Sequence, residues 1–204
     1  NKLLLTTLLV LCPYLAMGQS NQKTTRKAPL IGISCSHPGR SSSTQMTYTE
    51  SVIQAGGTPI LISITTDSLI LTDIANRLDG IILIGGGDIH PSYFNESPIE
   101  QLGEVDSLRE VTTWHSSAWL PGVTFDVWHL PGRTVNHVAF GGTLYQDIPT
   151  QHPDTTVCHQ QQEPSSIPTH TVHLTPGSAM ASITGQTQLF TNTHHHQAVK
   201  QVAP

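Results

Sequence analysis

Charge is what this sequence has least of. Asp, Glu, Lys and Arg make up 11% of its 204 residues, under half of the roughly 25% usual in soluble domains. Nine Lys and Arg stand against 14 Asp and Glu, for a net charge of -5. No basic stripe is left to neutralise a phosphate backbone, which argues against nucleic acid as a partner. The apolar run near the start, Leu3 to Leu11, falls short of the roughly 20 residues that a bilayer demands. There is no G-x-x-x-x-G-K-[ST] and no G-x-G-x-x-G opening a helix, so the chain has no nucleotide-phosphate loop. Cysteines number three, at spacings that spell neither a metal site nor a disulfide framework. No internal repeat is visible. At 22.1 kDa the chain is long enough for one core.

What is present begins with "NKLLLTTLLVLCPYLAMG" (1–18): one Lys, an apolar run, then small residues. This is the build of a secretory signal peptide, with Ala16-Met17-Gly18 as the cleavage site before Gln19 and a secreted or periplasmic destination. A buried N-terminal helix is the other reading. A lipid anchor on Cys12 is disfavoured by bulky Leu11. Residues 19–28 then read as a polar linker ahead of one domain, 29–204. With Cys12 removed, Cys35 and Cys158 remain, and two separate buried thiols are expected in preference to a pair.

The next sixty residues alternate in texture. "APLIGIS" (28–34), "TPILISI" (58–64) and "GIILIGGGD" (80–88) are short, β-branched and apolar, as buried strands are. Between them, "TQMTYTESVIQAGG" (44–57) and "DSLILTDIANRLDG" (67–80) have helical spacing. The first stops at Gly56-Gly57 and the second starts on Asp67 or Ser68 as cap. Strand, helix, strand, helix, strand predicts an α/β fold with a parallel sheet and helices on its faces. Ligands in such sheets sit beyond the carboxyl ends of the strands, which puts Gly85, Gly86, Gly87 and Asp88 at a site. After residue 150, "THTVHLTPGS" (169–178) alternates like an exposed strand, and 183–199 reads as a turn and a further strand ending in histidines.

"IGGGDIHPSYFNE" (84–96) is the strongest local signal. Three glycines after a strand let the backbone approach a ligand and aim N–H groups at an anion or oxyanion; a plain tight turn is the bland alternative, against which Asp88 and Pro91 speak. His194, His195 and His196 invite a metal reading. Neighbours on an extended strand point to opposite faces, however, and no Cys or carboxylate stands at ligand spacing. Neither metal nor cofactor is expected.

Taken together, "LDGIILIGGGDIHPSYFNE", Asp106-Ser-Leu-Arg109-Glu110, "GGTLYQDIP" and "NTHHHQAVKQVAP" resemble the class I glutamine amidotransferase-like hydrolases. The gamma-glutamyl-gamma-aminobutyrate hydrolases and gamma-glutamyl hydrolase are the most similar branch, and the likeness runs in order through 29–204. It implies a doubly wound, mostly parallel flavodoxin-like sheet sandwiched by helices, and cleavage of gamma-glutamyl amides by Cys, His and Glu. It also implies that Gly86, between Gly85 and Gly87, lends an oxyanion N–H. Asp106 and Arg109 match the start of the family's D-x-x-R-D segment, with Glu110 standing for its second acid. Asn192, His195, His196 and Gln197 match its N-S-x-H-H-Q loop near a small-molecule substrate.

The likeness breaks between 111 and 136. Counting back from Gly141-Gly142, Phe140, Ala139 and Val138 fit the family's nucleophile block, His137 stands for its Asn, and Leu130 stands where the nucleophilic Cys belongs. A leucine attacks nothing. Back-translated and read from the second base, Val127–Arg133 permits Phe-Gly-Ile-Cys-Arg-Gly; read from third bases, 111–119 permits an amphipathic helix string. Both fall in register, so residues 111–136 read as an out-of-frame stretch inside a gene of this family. The family's G-V-Q-x-H-P-E block, which carries His and Glu, is also not in the sequence, so the domain reads as truncated at its C-terminus. The expectation is an inactive copy of a gamma-glutamyl hydrolase. The alternative is a pseudoenzyme that binds a gamma-glutamyl or amino-acid ligand.

Overall fold

A computed structural model describes residues 27–110, 112, 137–153 and 156–204. The expected signal segment, most of the linker, and Leu130 with nearly all of the anomalous stretch lie outside the described residues.

Strand β1 (Leu30–Ser34) occupies the centre of a parallel three-stranded sheet, between β2 (Thr58–Ile62) and β3 (Gly80–Ile82). Helix α1 (Met46–Gln54) joins β1 to β2, and α2 (Ser68–Ala75) joins β2 to β3. The two helices cover opposite faces, and the alternation along the chain shows it. Ile82 and Ile84 pack with Ile33 against Val52 and Tyr48 of α1. Ile81 and Leu83 pack with Ile62 against Leu71 and Ile74 of α2. Consecutive residues leaving β3 thus serve opposite layers, as a period of two requires when both faces are buried. This is the doubly wound arrangement expected from the sequence. Asp67 is the cap of α2, its Oδ1 accepting from the N–H of Leu69 at 2.9 Å and of Ile70 at 3.2 Å. At the end of α1, Gly56 takes φ +82°, the left-handed turn that releases the chain into β2.

The second half is built differently. β4 (Thr143–Tyr145) pairs antiparallel with β7 (Ala198–Gln201), and β5 (His170–His173) with β6 (Gln188–Thr191). A core of Ile89, Phe94, Val138 and Leu144, with Val199 against it, anchors the β4–β7 ladder. β5 is the exposed strand its alternation implied. The region read as turn and strand from 183 onward divides instead into a helix (Ala179–Thr184), β6 and β7. Ser178 caps that helix, a start signal that the threonine-rich flanks obscure.

Both cysteines of the described residues are free thiols. Cys35 is buried, as expected, and its burial raises its pKa. Cys158 is exposed, against the expectation of two buried thiols, because its loop packs nothing apolar over it. No helix among the described residues is long and apolar enough to cross a membrane.

Candidate functional site

The chain turns from one side of β1 to the other as it passes from β2 to β3. At such a switch point the loops at the carboxyl ends of the two strands part and leave a crevice. Here the ends are tied by one bond, Ile84 N–H to Ser34 Oγ at 2.9 Å, and the glycines follow directly.

The Gly85–Asp88 loop is fastened at both flanks and bare in the middle. Asp88 N–H donates to the Glu104 carbonyl at 2.8 Å, and Ile89 N–H to Gln197 Oε1 at 3.1 Å. Among the described residues no acceptor takes the N–H of Gly86 or Gly87. Close approach explains the glycines. A β carbon on Gly87 would strike the Glu104 carbonyl oxygen, and one on Gly86 would strike the Arg109 guanidinium. Arg109, 3% exposed, supports the loop from behind, its Nη2 donating to the Gly87 carbonyl at 2.8 Å while its Nε finds no partner among the described residues. Burial lowers its pKa, against the pull of Asp106, Glu110 and Asp88. Its neighbours complete the latch. Asp106 Oδ1 accepts from Arg109 N–H at 3.0 Å, and Glu110 Oε1 from His90 N–H at 2.6 Å. Burial raises the Glu110 carboxyl despite that bond. The D-x-x-R-E segment therefore ties down the C-terminal end of the glycine loop, at Gly87 and His90.

Across the crevice stands the segment from Asn192 to Gln197. Gln161 stitches it in place: its Oε1 accepts from Thr193 N–H at 2.7 Å and from Thr169 Oγ1 at 2.9 Å. Its Nε2 donates to carbonyls of Glu163, Pro164 and Ile167. The Asn192 side chain donates to the Ser165 carbonyl. His195 Nδ1 lies 2.9 Å from the Gln197 carbonyl oxygen, so Nδ1–H donates and Nε2 keeps its lone pair. Burial lowers the His195 pKa, and the neighbouring His159, His170 and His196 act in the same direction. Gln197, 9% exposed, has its Oε1 on Ile89 N–H while its Nε2 has no partner among the described residues.

His196 is held most firmly. Its Nε2 is 2.8 Å from Asp88 Oδ1 and its Nδ1 is 3.1 Å from Asp147 Oδ1. Burial pulls its pKa down, but the bonds to Asp147 and Asp88 outweigh that, and the net shift is upward.

Two adjoining cavities, about 290 Å³ and about 820 Å³, open here, and Gly86, His194 and His195 line both. Gly87, Asp88, His196 and Gln197 line the smaller one, and Gly85 and Asn192 the larger. Every loop residue singled out in the sequence therefore reaches one crevice. Asp147 was not singled out. Its place before Ile148-Pro149 marks it as a helix cap, and its Oδ2 does accept from Thr150 N–H at 3.0 Å. Its second partner, His196, is 49 residues away, and no local signal announces it. Among the described residues no group of three or more His, Cys, Asp or Glu is placed to hold a metal ion.

Comparison with known proteins points the same way. The model of the family described as Peptidase C26 matches residues 29–204. "Protein NtpR" of Enterococcus hirae is 32% identical over 189 residues, covering 86% of this chain and 77% of that protein. A Schizosaccharomyces pombe protein named as a candidate glutamine amidotransferase is 30% identical over 181 residues, covering 85% of this chain and 66% of that one. The glutamine amidotransferase-like protein YvdE of Lactococcus lactis is 30% identical over 129 residues, covering 61% of this chain and 52% of that one.

Proposed function

Because this chain belongs to the Peptidase C26 family, we propose that its crevice binds a gamma-glutamyl amide and that the chemistry of the fold is amide hydrolysis. One observation carries the reading: among the described residues the backbone N–H groups of Gly85, Gly86 and Gly87 take no acceptor, while those of Ile84, Asp88 and Ile89 on either side are bonded. Preorganised donors of this kind stabilise the oxyanion that forms when a nucleophile adds to an amide carbonyl. A relative with an intact nucleophile attacks with a cysteine thiolate while a histidine, oriented by a glutamate, moves the proton.

As written, this chain binds without turning over. Register places Leu130 at the nucleophile's position, and Pro131 has no N–H to give as the second oxyanion donor, a group typically worth about 3 kcal/mol. Its setting is extracytoplasmic, with the segment before Gln19 removed; the intact mass of secreted material tests that.

The activity test uses gamma-glutamyl-p-nitroanilide. The native chain and Leu130→Cys are expected to release no more nitroaniline than a blank, since catalytic groups act as a unit. A version with the frame restored across 111–136 and carrying the family's His/Glu block is expected to turn over. The native chain is expected to show ligand-dependent amide shifts at Gly86 and Gly87. Turnover by the native chain would overturn the inactivity, and unmoved amides would overturn the binding reading.

A further inference from the structure

His196 sits in the crevice with neither ring nitrogen free to meet a ligand. Nε2 faces Asp88 Oδ1 at 2.8 Å and Nδ1 faces Asp147 Oδ1 at 3.1 Å. A neutral imidazole carries one N–H, so one carboxylate would confront a lone pair; only the doubly protonated ring donates to both. Neither acid has a slack oxygen to turn away with. Asp88 Oδ2 accepts from Gly103 N–H at 2.6 Å, and Asp147 Oδ2 from Thr150 N–H at 3.0 Å. The backbone adds a further tie, Ile148 N–H to the His196 carbonyl at 2.7 Å. The three side chains are 21%, 10% and 11% exposed, which protects their charges from screening by salt.

We propose that His196 is a positioning residue: as an imidazolium it bolts the glycine loop, through Asp88, to the end of β4, through Asp147, and loss of its proton unfastens that wall of the crevice. It acts on a ligand only through the Gly86–Asp88 backbone. Its importance for binding rests on the reading given above; its action on the loop does not.

Among the groups around it the two carboxylates favour the charged ring, while burial and the neighbouring His195 oppose it. Asp88 and Asp147 face the ring from two elements, and His195 precedes it in the chain and Glu104 lines the same cavity. Burial pushes Asp147 up, but the Thr150 bonds and His196 outweigh it and hold its carboxyl below the usual range. A histidine raised above its unfolded value contributes stability that is complete below about pH 6.5 and is lost as pH climbs through the folded value. The crevice wall is therefore firm on the acid side of that value and loose on the alkaline side.

The test is a ligand-free NMR titration of the full chain. His196 is expected to show two protonated ring nitrogens near pH 6, with a midpoint above that of the urea-unfolded chain. The amide signals of Gly87, Asp88 and Gly103 are expected to move with the same midpoint. Above it, intrinsic-rate-corrected hydrogen exchange at Asp88 and Gly103 should quicken roughly tenfold, the scale of one charge-assisted hydrogen bond. Asp147→Asn is expected to lower the midpoint and His196→Gln to abolish the amide titration. A ring that carries one proton throughout, or that titrates while the three amides stay still, overturns the proposal without any variant having to fold. Because no ligand is present, that result is distinct from failure to bind a gamma-glutamyl amide.

Discussion

The two halves of the molecule hold together by different means. From Leu30 to Ile84 the chain is a platform: three parallel strands, a helix on each face, and apolar residues assigned alternately to one layer or the other. From Thr143 onward it is two small antiparallel ladders. Both halves leave apolar residues outside, Leu69 at 76% and Ile183 at 69% exposure, but β5 and β6 supply no residue to any buried apolar cluster among the described residues. Here polar side chains do the joining: Gln161 to Thr193 and Thr169, His196 to Asp88 and Asp147, Gln197 to Ile89. Apolar burial is the main tie within the platform, whereas the crevice wall depends on the His196 bonds to Asp88 and Asp147.

The sharpest way to break this contrast is to truncate one large apolar side chain in each half. Ile33 is fully buried at the centre of the sheet, and Ile33→Ala is expected to cost about 2–5 kcal/mol by urea denaturation. Phe190→Ala, on exposed β6, should stay within about 0.5 kcal/mol. Comparable losses would mean that β5 and β6 pack more than their exposure indicates. An effect smaller than that of Ile33→Ala is expected at the seam. The β carbon in Gly87→Ala meets the Glu104 carbonyl, a backbone atom that cannot swing aside. The overpacking should cost roughly 1–3 kcal/mol, seen as a lower Tm together with loss of the Gly86 amide response to ligand. Retained response would show that the loop is less tightly seated than its contacts imply. The least effect is expected on the platform's outer surface. Arg77 and Asp73 pair at 2.8 Å with both side chains more than 60% exposed; such pairs are worth little, and Asp73→Asn should leave Tm unchanged within error.

The platform was legible because each of its choices is local. A run such as "LIGIS" can be recognised without knowing its neighbours, and Asp67 advertises its helix within three residues. The glycine loop was legible for the same reason, since its position follows from the strand before it. Asp147 was not: its local role as a cap is complete in itself, and its bond to His196 exists only after β4 and β7 have paired. The latch of Arg109 on Gly87 spans 22 residues. Resemblance marked Arg109, but no periodicity says where its guanidinium goes. Cys158 was misplaced because a cysteine's usual burial was assumed for a segment with no apolar pattern of its own.

Gln197 has one more consequence. A glutamine amide on a protein surface can turn over end for end and so greet either polarity. This one cannot, because the Ile89 N–H can only donate and so fixes the oxygen on its own side. What remains is the Nε2 end, buried and without a partner among the described residues, on a side chain that lines the crevice. The position behaves as a one-way reader. A carbonyl or carboxylate oxygen placed there gains a bond that costs no rearrangement of the amide, and an amino group there meets a donor that cannot rotate away. Two ligands of the same shape, differing only in which end of an amide points inward, would be told apart at this single atom.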